Sequence, residues 1–343
     1  MAGFDAIALQ LPIRSIRAAD SADTSAAKIL DNIAFLRRRA TEAKNWIGES
    51  LKLLVTPEFL LTGFPAGHTR EAWRTNACFE AGGREYELLG EIAQSLGIYL
   101  AGNAYEIDPH FPDLYFQSSY ILDPAGDCIL RYRRLNSMWS ASPHDVWEDY
   151  LSHYGEEAIF PVANTSIGRL AAIASEEVLF PEIARALAMR GAEIFVHSSA
   201  EYSSPIGSPK ETCKLARAIE NTAYLVSANA AGFVQEDGSV ENVQGHSLIS
   251  DPEGRFLSKA GPGDQTMTYA RIDPAIVRGI RSRTGMANLL SRQRFELYQS
   301  TYQNYGTWAA GGLSGARPDT SLRQILEQYQ SEAISRLHGN FRN

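Results

Sequence analysis

The sequence predicts a layered α/β protein, and two features carry that reading. A strand-helix-strand order occurs twice, once in each half of the 343-residue chain, and each run is followed by two strands joined at an Asp-Pro-x-Gly turn, at 123–126 and 251–254. One face of each strand or helix is apolar and must be buried on another element, so the recurrence points to two similar halves packed as layers rather than to separate domains.

Taken in order, residues 4–10 alternate toward an apolar strand. Residues 25–40 place Ile29, Ile33 and Leu36 on one helical face. The run LKLLVTPEF (51–59) reads as a buried strand halted at Pro57, with Glu58 on the rim beyond its end. Residues 84–96 form a helix with Gly97 as its stop, leading into the strand IYLAGNAYE. LYFQSSYILDPAGDCILRYRRLN is a hairpin by its turn chemistry. Residues 136–160 are polar and aromatic (Trp139, Trp147, Tyr150, Tyr154) with little period, which predicts an irregular binding loop or lid.

The stretch 169–200 is the best punctuated. It reads as a strand (170–174), an acidic elbow (Ser175, Glu176, Glu177), a helix opened by Pro181 and stopped by Gly191, and a strand (194–198). A residue between a buried strand and a helix is held rigidly with its side chain outside the sheet, a position suited to a nucleophile, and Ser175 stands there. Residues 210–225 read as helix, SANAAGF as strand into turn, and GHSLISDPEGRFLSKA as the second hairpin. Beyond residue 281, Leu322, Ile325, Leu326, Tyr329, Ala333 and Leu337 share one helical face, which can clasp this subunit or a partner.

A formal net charge of −8 argues against non-specific binding to nucleic acid or anionic membrane. Cys78, Cys128 and Cys213 are widely spaced and odd in number, supporting neither a disulfide framework nor a CxxC metal site. The N-terminus lacks a basic stretch followed by a long apolar core, so a reducing cytoplasm is expected, and Asn164-Thr165-Ser166 is not read as a glycosylation site.

Four segments, TPEFLLTGFP, RYRRLN, ASEEVLFPEIARALAMRGAEI, and RAIENTAYLVSANAAG with GHSLISDPEG behind it, together resemble the nitrilase or carbon-nitrogen hydrolase superfamily. The resemblance spans residues 4 to 275 and implies a four-layer α-β-β-α sandwich, with residues 281–343 as a C-terminal extension. It implies a homodimer or higher homo-oligomer built through helices that include the one after the nucleophile. It also implies a Glu-Lys-Cys triad without metal or cofactor, acting on C–N bonds of a small amide, nitrile or carbamoyl compound. Glu58 matches the general base. Arg134 stands at the lysine position and Ser175 at the cysteine position, while Glu177 matches the acidic residue two positions after that cysteine. Glu148, Glu177, Trp139 and Trp147 are candidates for the substrate pocket.

The two departures are chemically unequal. Arginine keeps a positive charge beside a developing oxyanion but cannot give up a proton. A hydroxyl is a far weaker acid than a thiol and must lose its proton as it attacks. His144, His153 or His197 would be needed for a separate serine triad, and no G-x-S-x-G or S-x-x-K frames Ser175. Three readings stay open: an amidase-type hydrolase whose cysteine is replaced by serine and whose turnover is impaired, a pseudoenzyme that binds or regulates without turnover, and an active serine variant or acyltransferase.

Overall fold

Alternation along the first strand, β1 (Phe4–Gln10), sets the layering: Phe4, Ala6 and Ala8 enter one core while Ile7 and Leu9 enter another. A computed structural model describes residues 3–201, 209–242, 245–313 and 322–340. After β1 come the short β2 (Pro12–Ile13), α1 (Ala22–Ile47), β3 (Leu51–Val55), α2 (Arg70–Ala77), β4 (Cys78–Glu80) and α3 (Arg84–Leu96). The first half closes with β5 (Tyr99–Ile107), β6 (Tyr115–Leu122) and β7 (Cys128–Arg133). The second half holds α4 (Trp147–Tyr154), β8 (Ala163–Thr165), β9 (Gly168–Ala174), α5 (Pro181–Met189), β10 (Ile194–Ser199), α6 (Pro209–Asn221) and β11 (Tyr224–Asn229). It continues through β12 (Gly232–Val234), β13 (Val240–Asn242), β14 (Leu248–Ser250), β15 (Phe256–Lys259) and β16 (Thr266–Ile272) to α7 (Pro274–Arg281), α8 (Glu296–Tyr305) and α9 (Leu322–Asn340).

The strands form two main sheets, ordered β16-β1-β3-β5-β6-β7 with β4 beside β5, and β15-β14-β11-β10-β9-β8. The centre of each is parallel and each carries its antiparallel hairpin on one side. Ala6, Ala8, Leu53, Val55 and Ala101 of the first sheet meet Leu170, Ala172, Val226 and Ala228 of the second in one shared core. On the outer faces, α1 and α3 cover the first sheet, and α5 and α6 the second. The expected α-β-β-α sandwich is therefore the observed one. Its small facing residues let two parallel sheets approach closely, which brings the ends of β3, β7 and β9 to one edge.

Four elements differ from expectation. The first helix is longer, because Ser21 caps it by accepting from Thr24 N. The helix expected over 210–225 ends at Asn221, where Thr222 turns left-handed (φ 47°), and Tyr224 and Leu225 belong to β11. The segment 136–160 is largely helical: Ser142 and Asp145 cap a 3-10 turn (Pro143–Val146) reciprocally, and α4 follows directly. In α9, Leu322, Leu326 and Ala333 are buried as expected, but Leu337 is exposed because the last turns extend past the body. Gly311 N donates to His144 O (2.8 Å) and Leu313 N to Asp145 O (2.9 Å), so this part of the extension packs on its own chain.

Candidate functional site

Ser175 follows β9 immediately and adopts φ 44°, a left-handed conformation that costs a residue with a Cβ on the order of 1 kcal/mol. The surroundings hold it there. His197 Nε2 donates to the Ser175 carbonyl (2.8 Å) while its Nδ1 accepts from Ser227 Oγ (2.8 Å), which fixes the neutral tautomer. Burial pushes the His197 pKa down to about 3. This imidazole therefore orients the elbow and faces the serine's carbonyl, not its hydroxyl, so it is not the base of a serine triad.

The linkage has a definite sign. Below about pH 6.5 the unfolded chain takes up a proton at residue 197 that the folded chain refuses until about pH 3, so stability falls as pH falls through that window. Between pH 8 and pH 5 the expected loss from this group is about 2 kcal/mol, at ~1.4 kcal/mol per pH unit below the unfolded pKa. Urea titrations at the two pH values check it. The drop should shrink in His197→Gln, and an equal drop in both proteins would exclude the histidine as its source.

Glu177 is fully buried and does not face the cavity, contrary to its reading as a pocket residue. Its carboxylate accepts from Leu135 N (2.7 Å), Asn136 N (2.8 Å), Tyr132 Oη (2.7 Å) and Ala174 N (3.3 Å). It thus ties the end of β7 to the end of β9, and this sets Arg134 beside Ser175.

Glu58 sits just beyond β3, 2% exposed, deeper than the rim position expected from its place after the strand. Its neighbour Phe59 takes φ 65° and donates its N–H to Asn103 Oδ1 (3.0 Å). Arg134 Nη1 donates to Glu58 Oε1 (3.2 Å) and to Gln117 Oε1 (2.7 Å), and Gln117 Nε2 donates to the same Glu58 oxygen (2.9 Å). Arg134 Nε donates to Asn136 O (2.7 Å) and Nη2 to Glu176 Oε1 (2.5 Å). Burial pushes the Glu58 pKa up, with Arg134 and a hydrogen bond from the Ser175 side chain opposing the rise.

These side chains line one cavity of about 660 Å³ together with Phe59, Phe64, Trp139, Phe233, Glu201, Lys210 and, from α9, Arg323 and Gln330. Glu58, Arg134, Ser175 and Trp139 are thus brought together. Trp147 lines a neighbouring cavity of about 680 Å³, and Glu148 lies exposed on the first turn of α4 and lines neither. The acidic residue sits there because α4 turns Tyr150, not Glu148, to the core.

The sequence reading does not single out the cavity residues Glu201, Lys210, Phe233 and Arg323, nor Gln117, which bonds Glu58 and Arg134. Glu201 forms a buried pair with Lys214 (2.6 Å); burial opposes ionisation, but the lysine outweighs it and holds the carboxyl at about 2. No local pattern marks this pair, since the partners meet through tertiary contact. Among the described residues, no three His, Cys, Asp or Glu side chains are grouped for a metal ion. No helix among them is long and apolar enough to cross a membrane.

Comparison with known proteins agrees with the fold and the order of these segments. Residues 8–282 match the carbon-nitrogen hydrolase family model. The omega-amidase NIT3 of Saccharomyces cerevisiae is 26% identical over 278 residues, covering 78% of this chain and 90% of that protein. A formamidase of Bacillus cereus is 26% identical over 290 residues, covering 84% and 79%. The structure of an amidase from Nesterenkonia sp. superposes with a TM-score of 0.62 at 20% identity, covering 87% of this chain and 96% of that one. With the family model matched over most of its length, the chain belongs to the carbon-nitrogen hydrolase family.

Proposed function

We propose that this protein acts on the C–N bond of a small non-peptide amide through an acyl-enzyme on Ser175, with Glu58 as general base and Arg134 as the cation beside the oxyanion. The observation that carries the reading is the convergence of these three side chains on one cavity, with Arg134 bonded to Glu58 at 3.2 Å. As Ser175 Oγ attacks the amide carbon, its proton passes to Glu58. The carbonyl electrons move onto oxygen beside Arg134. Collapse of that adduct breaks the C–N bond, and Glu58 returns the proton to the departing nitrogen. Water, activated by the same carboxylate, then cleaves the ester. A carboxylate raised by burial is a stronger base, which favours this route. Serine makes turnover slow compared with a thiol in the same place.

A second reading, a binding protein without turnover, is favoured by one observation: four of the five Arg134 N–H groups are already engaged, leaving a single donor on Nη2 for an oxyanion. Ammonia release from a panel of short amides separates the two. Glu58→Gln is expected to lower kcat/KM by about 10²–10⁴-fold, the span of general-base catalysis. The acid limb of the wild-type rate profile should lie above 4.5, the ordinary carboxylate value. Unchanged rates in Glu58→Gln would sink the assignment of the base.

The oligomer we infer is a homodimer through the elbow and α5, supported by Leu179, Phe180 and Met189, which are 41%, 41% and 49% exposed there. The three cysteines are unpaired, in keeping with a reducing cytoplasmic location.

A further inference from the structure

The cavity has a polarity that runs along its depth. At its inner end Arg134 is 5% exposed and is shared by two carboxylates, Glu58 and Glu176. Phe64 makes edge contacts with Trp139 (5.8 Å) and Phe233 (5.6 Å), giving the middle an aromatic wall. At the outer end stands Arg323, 41% exposed, with its guanidinium carbon 4.7 Å from the centre of the Trp139 ring.

Arg323 comes from α9, which lies beyond residue 282, where the family match ends. The helix is seated firmly: Leu322 and Leu326 are 2% and 0% exposed, and Tyr329 Oη donates to Gly312 O. Glu327 Oε1 accepts a hydrogen bond from Arg323 Nε (2.6 Å), and the guanidinium lies over the Trp139 ring. Among the described residues, neither terminal nitrogen of Arg323 donates a hydrogen bond. A planar cation held this way presents two parallel donors, the fork that a carboxylate accepts.

We propose that Arg323 is a specificity-determining residue that selects amides carrying a carboxylate at the end remote from the scissile bond. The inference rests on the amidase reading of the inner site. Such a substrate lays its amide at Glu58, Arg134 and Ser175, its short aliphatic chain along Phe64, Trp139 and Phe233, and its carboxylate on Arg323. The C-terminal extension therefore completes the site instead of merely bracing the fold.

The test is binding to the unmodified Ser175 protein by calorimetry, with succinamate and glutaramate compared with butyramide and pentanamide, matched in chain carbons. The monoamides of dicarboxylic acids should bind more tightly than their neutral counterparts. Arg323→Gln should lower that preference at least about tenfold, the scale of a charge-assisted hydrogen bond. Arg323→Lys should restore part of it, and Arg190→Gln, which removes a positive charge elsewhere on the surface, should leave it intact. In the Ser175→Cys background the same loss should appear in KM rather than kcat. A preference unchanged in Arg323→Gln, or lost equally in Arg190→Gln, overturns the inference while leaving the amidase reading in place. Failure of both amide classes to bind overturns the amidase reading and this inference with it.

Discussion

Ser175→Cys is expected to raise kcat/KM for short amides by about 10²–10⁴-fold, the range over which proton transfer in the transition state is worth catalytic rate. The scaffold around residue 175 is set independently of its side chain. The left-handed backbone is held by His197 at the carbonyl, and Glu177 holds the neighbouring strand ends. Exchanging one heavy atom therefore leaves the geometry in place. What changes is the chemistry: a thiol, with an ordinary pKa of about 8.5, can be deprotonated before it attacks, whereas the hydroxyl must lose its proton during attack. Glu58, raised by burial, is matched better to the thiol than to the hydroxyl. Ammonia release measured side by side for the two proteins decides the matter. Equal rates would mean that nucleophile identity is not limiting, and silence from both would favour the binding-protein reading.

Glu177→Ala should be the most destabilising single change at the site, by about 4 kcal/mol, taking roughly 1 kcal/mol for each of the lost hydrogen bonds. The carboxylate satisfies three backbone N–H groups and one phenol, and the methyl of alanine satisfies none. The Tyr132 and Ala174 donors are buried and would bear a desolvation cost, while Leu135 and Asn136 are half-buried. Glu177→Gln keeps the shape but turns one acceptor into a donor facing other donors, so it should recover only part of the loss. Chemical denaturation of the three proteins measures this. A loss below about 1 kcal/mol for the alanine variant would show that the strand ends are held some other way.

The legible parts of the fold were those specified by local chemistry. The two Asp-Pro-x-Gly turns could be read because each aspartate closes its own turn: Asp123 Oδ1 accepts from Ala125 N and Asp127 N, and Asp251 Oδ1 from Glu253 N and Arg255 N. The helix at 84–96 was placed to the residue by its apolar period and by Gly97 at φ 61°. The end of α6 was missed because Thr222 takes the left-handed conformation that glycine usually marks. The helix in 136–160 was hidden because its buried face is a single aromatic, Tyr150, too little to show a period.

For the site, Glu58, Arg134 and Ser175 were legible as family positions, and the structure brings them to one cavity. Glu177 was singled out with a different role, because the length of the chain between Leu135 and Ala174 conceals that both ends reach one carboxylate. Glu201 with Lys214, and Arg323 with Trp139, are pairs that only tertiary folding creates. Glu148 carried the right chemistry on the wrong face of its helix.

The last strand of the first sheet has a consequence in time. β16 pairs antiparallel with β1, Phe4 facing Ile272, so one side of the N-terminal strand stays open until nearly all of the sandwich has been made. At a synthesis rate of roughly 5–20 residues per second, β1 waits about 15 to 50 seconds for its partner. During that wait an apolar strand edge is available to any other strand that passes. Protection of that edge in the nascent chain is therefore a requirement separate from the stability of the finished sandwich.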